Sequence, residues 1–303
     1  MNILRGVVVP IVTPLKKESQ DKIDGVALEK LCDFLISKGV NGFFPCGTTG
    51  EGFLLSKETR KELASLVVKK VKGRVPVVIQ TGCIETKSTI ELTKQARDVG
   101  ADGAAVVTPY FYRYDFDSLK KHFVTVAKSV PGFPIYLYNI PGNANNDITP
   151  ELLRAVISEA DNVVGIKYTH FDLRRIPEYL SHLGENRVFL MGNAELIYPS
   201  YVLGASGSVS AHANVFPEPF VRLYDAFLNR DYIKAKKEQD LIRKIVNILK
   251  GGAYIWYYRI ALQFRGIDVG DTISPQKSFN KKKAMSLCQE LKSLGLPLEN
   301  PIC

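Results

Sequence analysis

The chain has 303 residues, of which 46% are hydrophobic and 23% charged, a balance that suits a folded globular protein with room for one large barrel or two smaller domains. Lysines and arginines number 40 against 31 acids, a net charge of +9, which raises the question of nucleic acid. The densest basic runs (residues 69–74, 234–237 and 281–283) fall on predicted surface helices or their ends, so solvated helix faces explain the charge and no nucleic-acid partner is expected.

Apolar, β-branched runs recur in chain order at residues 6–13, 42–47, 75–82, 103–108, 134–141, 163–169, 187–192 and 207–211. Helical periodicity fills the gaps. Over residues 26–38, Leu28, Leu31, Leu35 and Ile36 share a face and Gly39 follows as a stop; over 56–72, Leu63, Leu66, Val67 and Val71 do the same. Thr149-Pro150-Glu151 is a helix start with a hydroxyl cap, a proline in the first turn and an acid against the macrodipole. Eight mostly apolar strands alternating with helices predict an α/β fold with a parallel sheet, and the count fits a (β/α)8 TIM barrel. No GxGxxG follows an early strand, which argues against a doubly wound dinucleotide fold. Beyond the closing helix at 217–229 the alternation stops, and helices are predicted at 232–250, 253–264 and 281–294. The expected division is a catalytic barrel over 1–229 and a C-terminal helical region over 230–303. Tyr254, Trp256, Tyr257, Tyr258 and Phe264 in that region read as packing or a subunit contact.

Other classes are disfavoured by what is missing. No apolar run approaches the roughly 20 residues of a membrane helix, and the N-terminus lacks the apolar core of a signal peptide. Cys32, Cys46, Cys83, Cys288 and Cys303 are scattered without a CxxC pair, which predicts reduced thiols in a cytoplasmic protein. The four histidines show no metal-ligand spacing, so no metal is expected.

In a barrel, chemistry sits at the C-terminal ends of the strands. Those ends collect Gly47-Thr48-Thr49-Gly50-Glu51-Gly52, Thr108-Pro109-Tyr110, Tyr138-Asn139-Ile140-Pro141 and Lys167. Lys167 interrupts an aliphatic strand. Either its head snorkels to water, or burial keeps the amine neutral and therefore nucleophilic. Glycines flanking two threonines form either a capped tight turn or a cradle for a small anion. Tyr138 is either a core aromatic or a phenol placed to relay protons. Together, a cradle, a phenol and an amine are the parts needed to form a Schiff base with a 2-oxo acid.

The motifs Gly47-Thr48-Thr49-Gly50-Glu51, Tyr138-Asn139-Ile140-Pro141-Gly142, Gly165-Ile166-Lys167 and Gly207-Ser208-Val209-Ser210, in this order, resemble the pyruvate-dependent class I aldolases and synthases typified by dihydrodipicolinate synthase and N-acetylneuraminate lyase. The resemblance covers essentially the whole chain. It implies Lys167 as the Schiff-base lysine, Tyr138 as proton relay with Thr48, and Thr48 and Thr49 as the grip on the pyruvate carboxylate. Val209 matches a backbone contact to the keto acid. Tyr110 matches a tyrosine offered to a neighbouring subunit's active site, which implies a homotetramer built as a dimer of dimers. No cofactor is implied beyond the covalent imine. For the second substrate the chain departs from the lysine-pathway synthases, because Asn143 stands where they place an arginine. Thr169, Gly192 and Glu195 match the sialic acid lyases, whereas Ala194 and Ala211 replace their aspartate and serine. The expected activity is cleavage or formation of a 2-oxo sugar acid through pyruvate and an aldehyde. Condensation of pyruvate with aspartate semialdehyde, or a non-catalytic barrel that binds a keto acid, are the alternatives.

Overall fold

A computed structural model describes residues 3–17, 19–252, 254–277, 281–299, 301 and 303. All eight predicted strands form: β1 (Gly6–Val9), β2 (Gly42–Phe43), β3 (Val78–Gln80), β4 (Gly103–Val107), β5 (Ile135–Asn139), β6 (Val163–Tyr168), β7 (Val188–Met191) and β8 (Gly207–Val209). Several are shorter than their apolar runs, and proline is a physical reason. Pro10 follows β1, Pro45 lies two residues beyond β2 and Pro76 two residues before β3, and a proline has no N–H to give to a ladder.

The strands hydrogen-bond in the order β2-β1-β8-β7-β6-β5-β4-β3. An isolated parallel bridge between Phe43 and Val77 joins the two ends of that series, so the sheet closes into the eight-stranded parallel barrel that the alternation predicts. Close approach between strands uses glycine. A Cβ on Gly165 would stand 2.5 Å from the Val188 carbonyl oxygen of the neighbouring strand, a separation that side-chain carbons do not tolerate.

By its contacts the chain divides into two compact units. The first comprises the residues up to Val8, Asn41–Phe44 and Pro76–Val209, and holds nearly all of the barrel sheet. Its helices Thr86–Asp98, Phe116–Lys128, Pro150–Ile157 and Arg175–Leu183 alternate with the strands. Each buries one stripe: in Phe116–Lys128, Leu119, Phe123, Val126 and Ala127 recur at helical spacing. The predicted cap is present, with Thr149 accepting from the Leu152 N–H.

The second unit comprises Val9–Val40, Pro45–Val75 and Ser210–Cys303. It contains the helices Gly25–Ser37, Lys57–Val71, Pro217–Leu228, Tyr232–Ile248, Ile255–Phe264 and Lys281–Ser293. Ala253, at the start of one predicted helix, lies outside the described residues. A short antiparallel hairpin of Leu15–Lys16 and Ser19–Ile23 was not foreseen, because its second strand, Ser-Gln-Asp-Lys-Ile, is polar in all but its last residue. Within the aromatic cluster, Trp256, Tyr258 and Phe264 are buried, Trp256 stacks on Tyr257 with centroids 3.8 Å apart, and Tyr254 is exposed. No helix among the described residues is long and apolar enough to cross a membrane.

One expectation is corrected. Cys288 and Cys303 are not free thiols but a disulfide, with Cα atoms 6.0 Å apart. The chain turns at Gly295, in the left-handed region, and returns Cys303 to the helix that carries Cys288; a spacing of 15 residues gives no hint of that reversal. Cys32, Cys46 and Cys83 are buried thiols outside any disulfide. Burial pushes the Cys32 thiol up to about 12 and the Cys46 thiol up to about 11, leaving little thiolate at neutral pH.

The glycine argument is testable. Gly165→Ala drives a methyl into the backbone of β7 and should lower stability by about 1–3 kcal/mol, the usual cost of overpacking. Calorimetric unfolding should show a Tm reduced by several degrees. An unchanged Tm would mean that the two strands can separate at no cost.

Candidate active site

In the first unit, Tyr138 and Lys167 are register partners on β5 and β6. Side chains at paired positions leave the same face of a sheet, so the phenol and the amine run side by side. Lys167 is 4% exposed and Tyr138 1%. The Lys167 Nζ lies 3.9 Å from the centroid of the Tyr138 ring and 4.4 Å from that of Phe44. Burial holds the Lys167 amine below the ordinary lysine range, while the charge and hydrogen bond of Tyr138 pull weakly the other way. Of the two readings of Lys167, the snorkelling one is thereby excluded.

The next residue along each strand faces the opposite way and anchors the frame. Asn139 donates through Nδ2 to Asp147 Oδ1 at 2.8 Å and to the Ile148 carbonyl at 3.1 Å, and its Oδ1 accepts from the Ile148 N–H at 3.2 Å. Arg175 bonds Asp147 at 2.9 Å, and its guanidinium lies over the rings of Tyr168 and Tyr179. Tyr179 donates to the Ile148 carbonyl. This network secures the segment 140–148 that follows the Tyr-Asn-x-Pro motif.

That segment also ties down the loop after β4. Asn146 Nδ2 donates to the carbonyls of Pro109 (2.7 Å) and Tyr112 (2.6 Å), and its Oδ1 accepts from the Tyr114 N–H at 2.9 Å. Tyr110 sits half-buried in this loop, beside Phe111, which has a positive φ of 79° and is exposed. Asn143 is exposed in a single short turn, Pro141–Ala144. The run 142–146 contains no basic residue, but Arg113 reaches it from the other loop, donating to Asn145 Oδ1 at 3.2 Å.

Thr169 and Gly192 are brought together. The Thr169 N–H donates to the Asn139 carbonyl at 2.8 Å and the Gly192 N–H to the Tyr168 carbonyl at 2.7 Å, so the ladder continues one residue past each strand. A Cβ at position 192 would overlap the Thr169 hydroxyl, which is buried and has no hydrogen-bond partner. Glu195 is half-buried in the turn Ala194–Leu196, its N–H capped by Asn193 Oδ1 at 3.0 Å. Val209 ends β8 and is buried.

Thr48 and Thr49 belong to the second unit. Their turn is closed by Glu51 N–H to the Thr48 carbonyl and Gly52 N–H to the Gly47 carbonyl, both 3.1 Å, and by Thr13 Oγ1 donating to the Gly50 carbonyl at 2.6 Å. Glu51 adopts a left-handed φ of 53°, unusual for a residue with a side chain. A buried ion pair holds it there. Arg259 donates to Glu51 Oε2 through Nε at 3.2 Å and through Nη2, and Glu51 Oε1 accepts from the Ile273 N–H at 2.9 Å and Gln276 Nε2 at 3.1 Å. Arg259 also donates to the carbonyls of Val269 and Thr13. Sequence reasoning missed Arg259, embedded in an aromatic helix, and Phe44, one phenylalanine of a pair in an apolar run. No local pattern marks either.

His212 is buried and hydrogen-bonds Tyr258 through Nε2 at 3.1 Å; burial lowers it to about 3, so it is neutral. Among the described residues no group of three or more histidines, cysteines or acids could hold a metal ion.

A closed parallel barrel with a desolvated amine against a phenol at one strand pair is the arrangement of a lysine-dependent lyase. A family model described as the dihydrodipicolinate synthetase family matches residues 3–294. The chain is 34% identical over 97% of its length to an uncharacterised DapA-like lyase of Halobacterium salinarum, 95% of which is covered. It is 33% identical over 96% of its length to a 4-hydroxy-tetrahydrodipicolinate synthase of Geotalea daltonii, 99% of which is covered. Among solved structures, it is similar to YagE of E. coli K12, a prophage protein of the dihydrodipicolinic acid synthase family in complex with pyruvate, with a TM-score of 0.92 and 28% identity over 97% of this chain and 100% of that one. The chain belongs to the dihydrodipicolinate synthetase family and is a class I, pyruvate-dependent Schiff-base enzyme.

The pair beneath the Thr48–Thr49 turn can be tested by itself. Arg259→Met strands a buried carboxylate and should cost about 3–5 kcal/mol. Adding Glu51→Gln should restore a measurable part of that loss in urea unfolding. Strictly additive losses would show that the two charges are not coupled.

Proposed function

We propose that Lys167 forms the imine with pyruvate and that the enzyme cleaves a polyhydroxylated 2-oxo acid in a retro-aldol reaction. The observation that carries this reading is the buried amine at 3.9 Å from the Tyr138 ring, with its proton affinity lowered by burial. The neutral Nζ attacks the keto carbon and gives a carbinolamine. Its hydroxyl leaves as water with a proton relayed by Tyr138, and a protonated imine remains. The C4 hydroxyl of the substrate then gives its proton to the Tyr138 oxygen that had just released one, the C3–C4 bond breaks, and the electron pair moves into the imine to give an enamine while an aldehyde departs. Protonation at C3 and hydrolysis release pyruvate and regenerate Lys167. Thr48 and Thr49 serve as the carboxylate grip, so that orientation replaces chance collision. Val209 supplies a backbone contact. In this reading residues 1–229 form the catalytic barrel and 230–303 a C-terminal appendage. Tyr110 completes a neighbouring site in a cytoplasmic homotetramer, and the covalent imine takes the place of a cofactor.

A sugar-acid substrate is supported by Asn143, which cannot offer the charged fork a second carboxylate asks for. Thr169, Gly192 and Glu195 supply the polar groups such a chain would meet. The name of the Geotalea daltonii relative supports a second reading, condensation of pyruvate with aspartate semialdehyde. A coupled pyruvate assay over a panel of 2-oxo sugar acids, run beside a semialdehyde condensation assay, separates the two. Comparable or faster turnover of the semialdehyde would overturn the lyase reading.

Borohydride reduction in the presence of pyruvate should place a covalent adduct on Lys167, and Lys167→Ala should abolish it and reduce turnover at least a thousandfold, of the order expected for loss of a covalent nucleophile. Because burial depresses the amine, the pH dependence of trapping has a definite sign. Half-maximal trapping should fall clearly below the ordinary lysine value of about 10.4. A midpoint at that value would mean an exposed, ordinary amine.

A further inference from the structure

We propose that Phe44 is a working part of the imine site: its ring face holds the Lys167 nitrogen against Tyr138 and away from water, and attracts the positive charge that appears there when the imine is protonated. This rests on Lys167 being the imine-forming residue.

Phe44 follows β2 directly and is fully buried. Its ring meets that of Tyr138 edge to face, with centroids 5.6 Å apart and planes at 83°. The Nζ lies within reach of both rings, at 4.4 Å from the Phe44 centroid and 3.9 Å from that of Tyr138. The remaining surroundings are poor in charge. The register partner on β7 is Leu190, the chain neighbours on β6 are Ile166 and Tyr168, and among the described residues the titratable group that acts on the amine is Tyr138. Among the described residues no carboxylate pairs with Lys167.

That composition sets the electrostatics of the nitrogen. An aromatic face attracts a desolvated cation by roughly 2 kcal/mol, far less than a carboxylate at the same distance in a dry site. Two rings without a counter-ion therefore leave the amine's proton affinity lowered by burial and still give the iminium something to rest on. A carboxylate in place of Phe44 would hold the lysine as an ammonium and remove the nucleophile. An aliphatic side chain in place of Phe44 would desolvate equally well but offer nothing to the charge.

Two substitutions at position 44 therefore act in opposite directions. Phe44→Leu keeps the water out but removes the ring face. The midpoint of pyruvate-dependent borohydride trapping should move further down in pH and kcat should fall roughly tenfold, with KM for pyruvate little changed. Phe44→Ala opens space for water, so the midpoint should move up towards that of an ordinary lysine. Circular dichroism and thermal unfolding check that each variant folds, and Phe44→Met replaces the leucine variant if that one does not. Opposite shifts support the proposal. A wild-type adduct whose pH midpoint is unmoved by either variant, or moved the same way by both, overturns it and leaves Phe44 as packing. No wild-type adduct on Lys167 is a different result, because it removes the imine reading itself.

Discussion

A primary amine shut away from water, with no carboxylate among the described residues to meet it, is the constraint on which the barrel unit depends. Desolvating an ammonium is costly enough that the group gives up its proton instead. Burial is the largest influence on the Lys167 amine and lowers its proton affinity. For burial to persist the strand must be fixed on both sides, and it is: Lys167 pairs with Tyr138 on β5 and Leu190 on β7. Strand alternation then assigns roles. Tyr138 and Lys167 share one face, while Asn139 and Tyr168 face the network of Asp147, Arg175 and Tyr179 that holds the following segment. One strand pair thus supplies both the phenol–amine pair and its support, which is how a rigid element places atoms more tightly than a loop does.

The second unit solves the opposite problem. Glu51 and Arg259 are as buried as Lys167 but remain a paired charge, with 0% and 2% of their side chains exposed. The carboxylate also accepts hydrogen bonds from Ile273 and Gln276, and the guanidinium donates to the carbonyls of Thr13 and Val269. Such a pair adds little stability over a well-packed apolar alternative, but a half-removed pair is severely unfavourable. Its use is to define a conformation. Here it holds a side-chain-bearing residue at a φ of 53°, two positions after Thr49, where flexibility would otherwise settle.

What the sequence makes legible follows the same physics. Parallel strands buried on both faces need continuous aliphatic runs, so β4, β5 and β6 stand out in Gly-Ala-Ala-Val-Val, Ile-Tyr-Leu-Tyr-Asn and Val-Val-Gly-Ile-Lys-Tyr. The ordered motifs at the strand ends single out Lys167 and Tyr138 as candidates, and the register brings those two together. Long-range pairings are not legible. The contact of Phe44 with Lys167, of Glu51 with Arg259 and of Cys288 with Cys303 depends on how the chain returns on itself, and a phenylalanine in an apolar run or an arginine in an aromatic helix carries no local mark. The hairpin strand Ser19–Ile23 escapes for a simpler reason: it lacks the alternation that marks a half-buried strand.

The Thr169 hydroxyl bears on specificity. It is buried with no hydrogen-bond partner among the described residues, and it packs into the space that a side chain at Gly192 would take. An unsatisfied buried hydroxyl costs about 1–3 kcal/mol. A ligand that brings a hydroxyl or carbonyl within reach recovers that cost, whereas an apolar ligand leaves it in place. Sites with buried polar groups awaiting a partner reject analogues that lack it by large factors, because the penalty falls on the wrong ligand alone. The Thr169 hydroxyl, two residues beyond Lys167, is therefore a point where a ligand oxygen would be held and an apolar group would not.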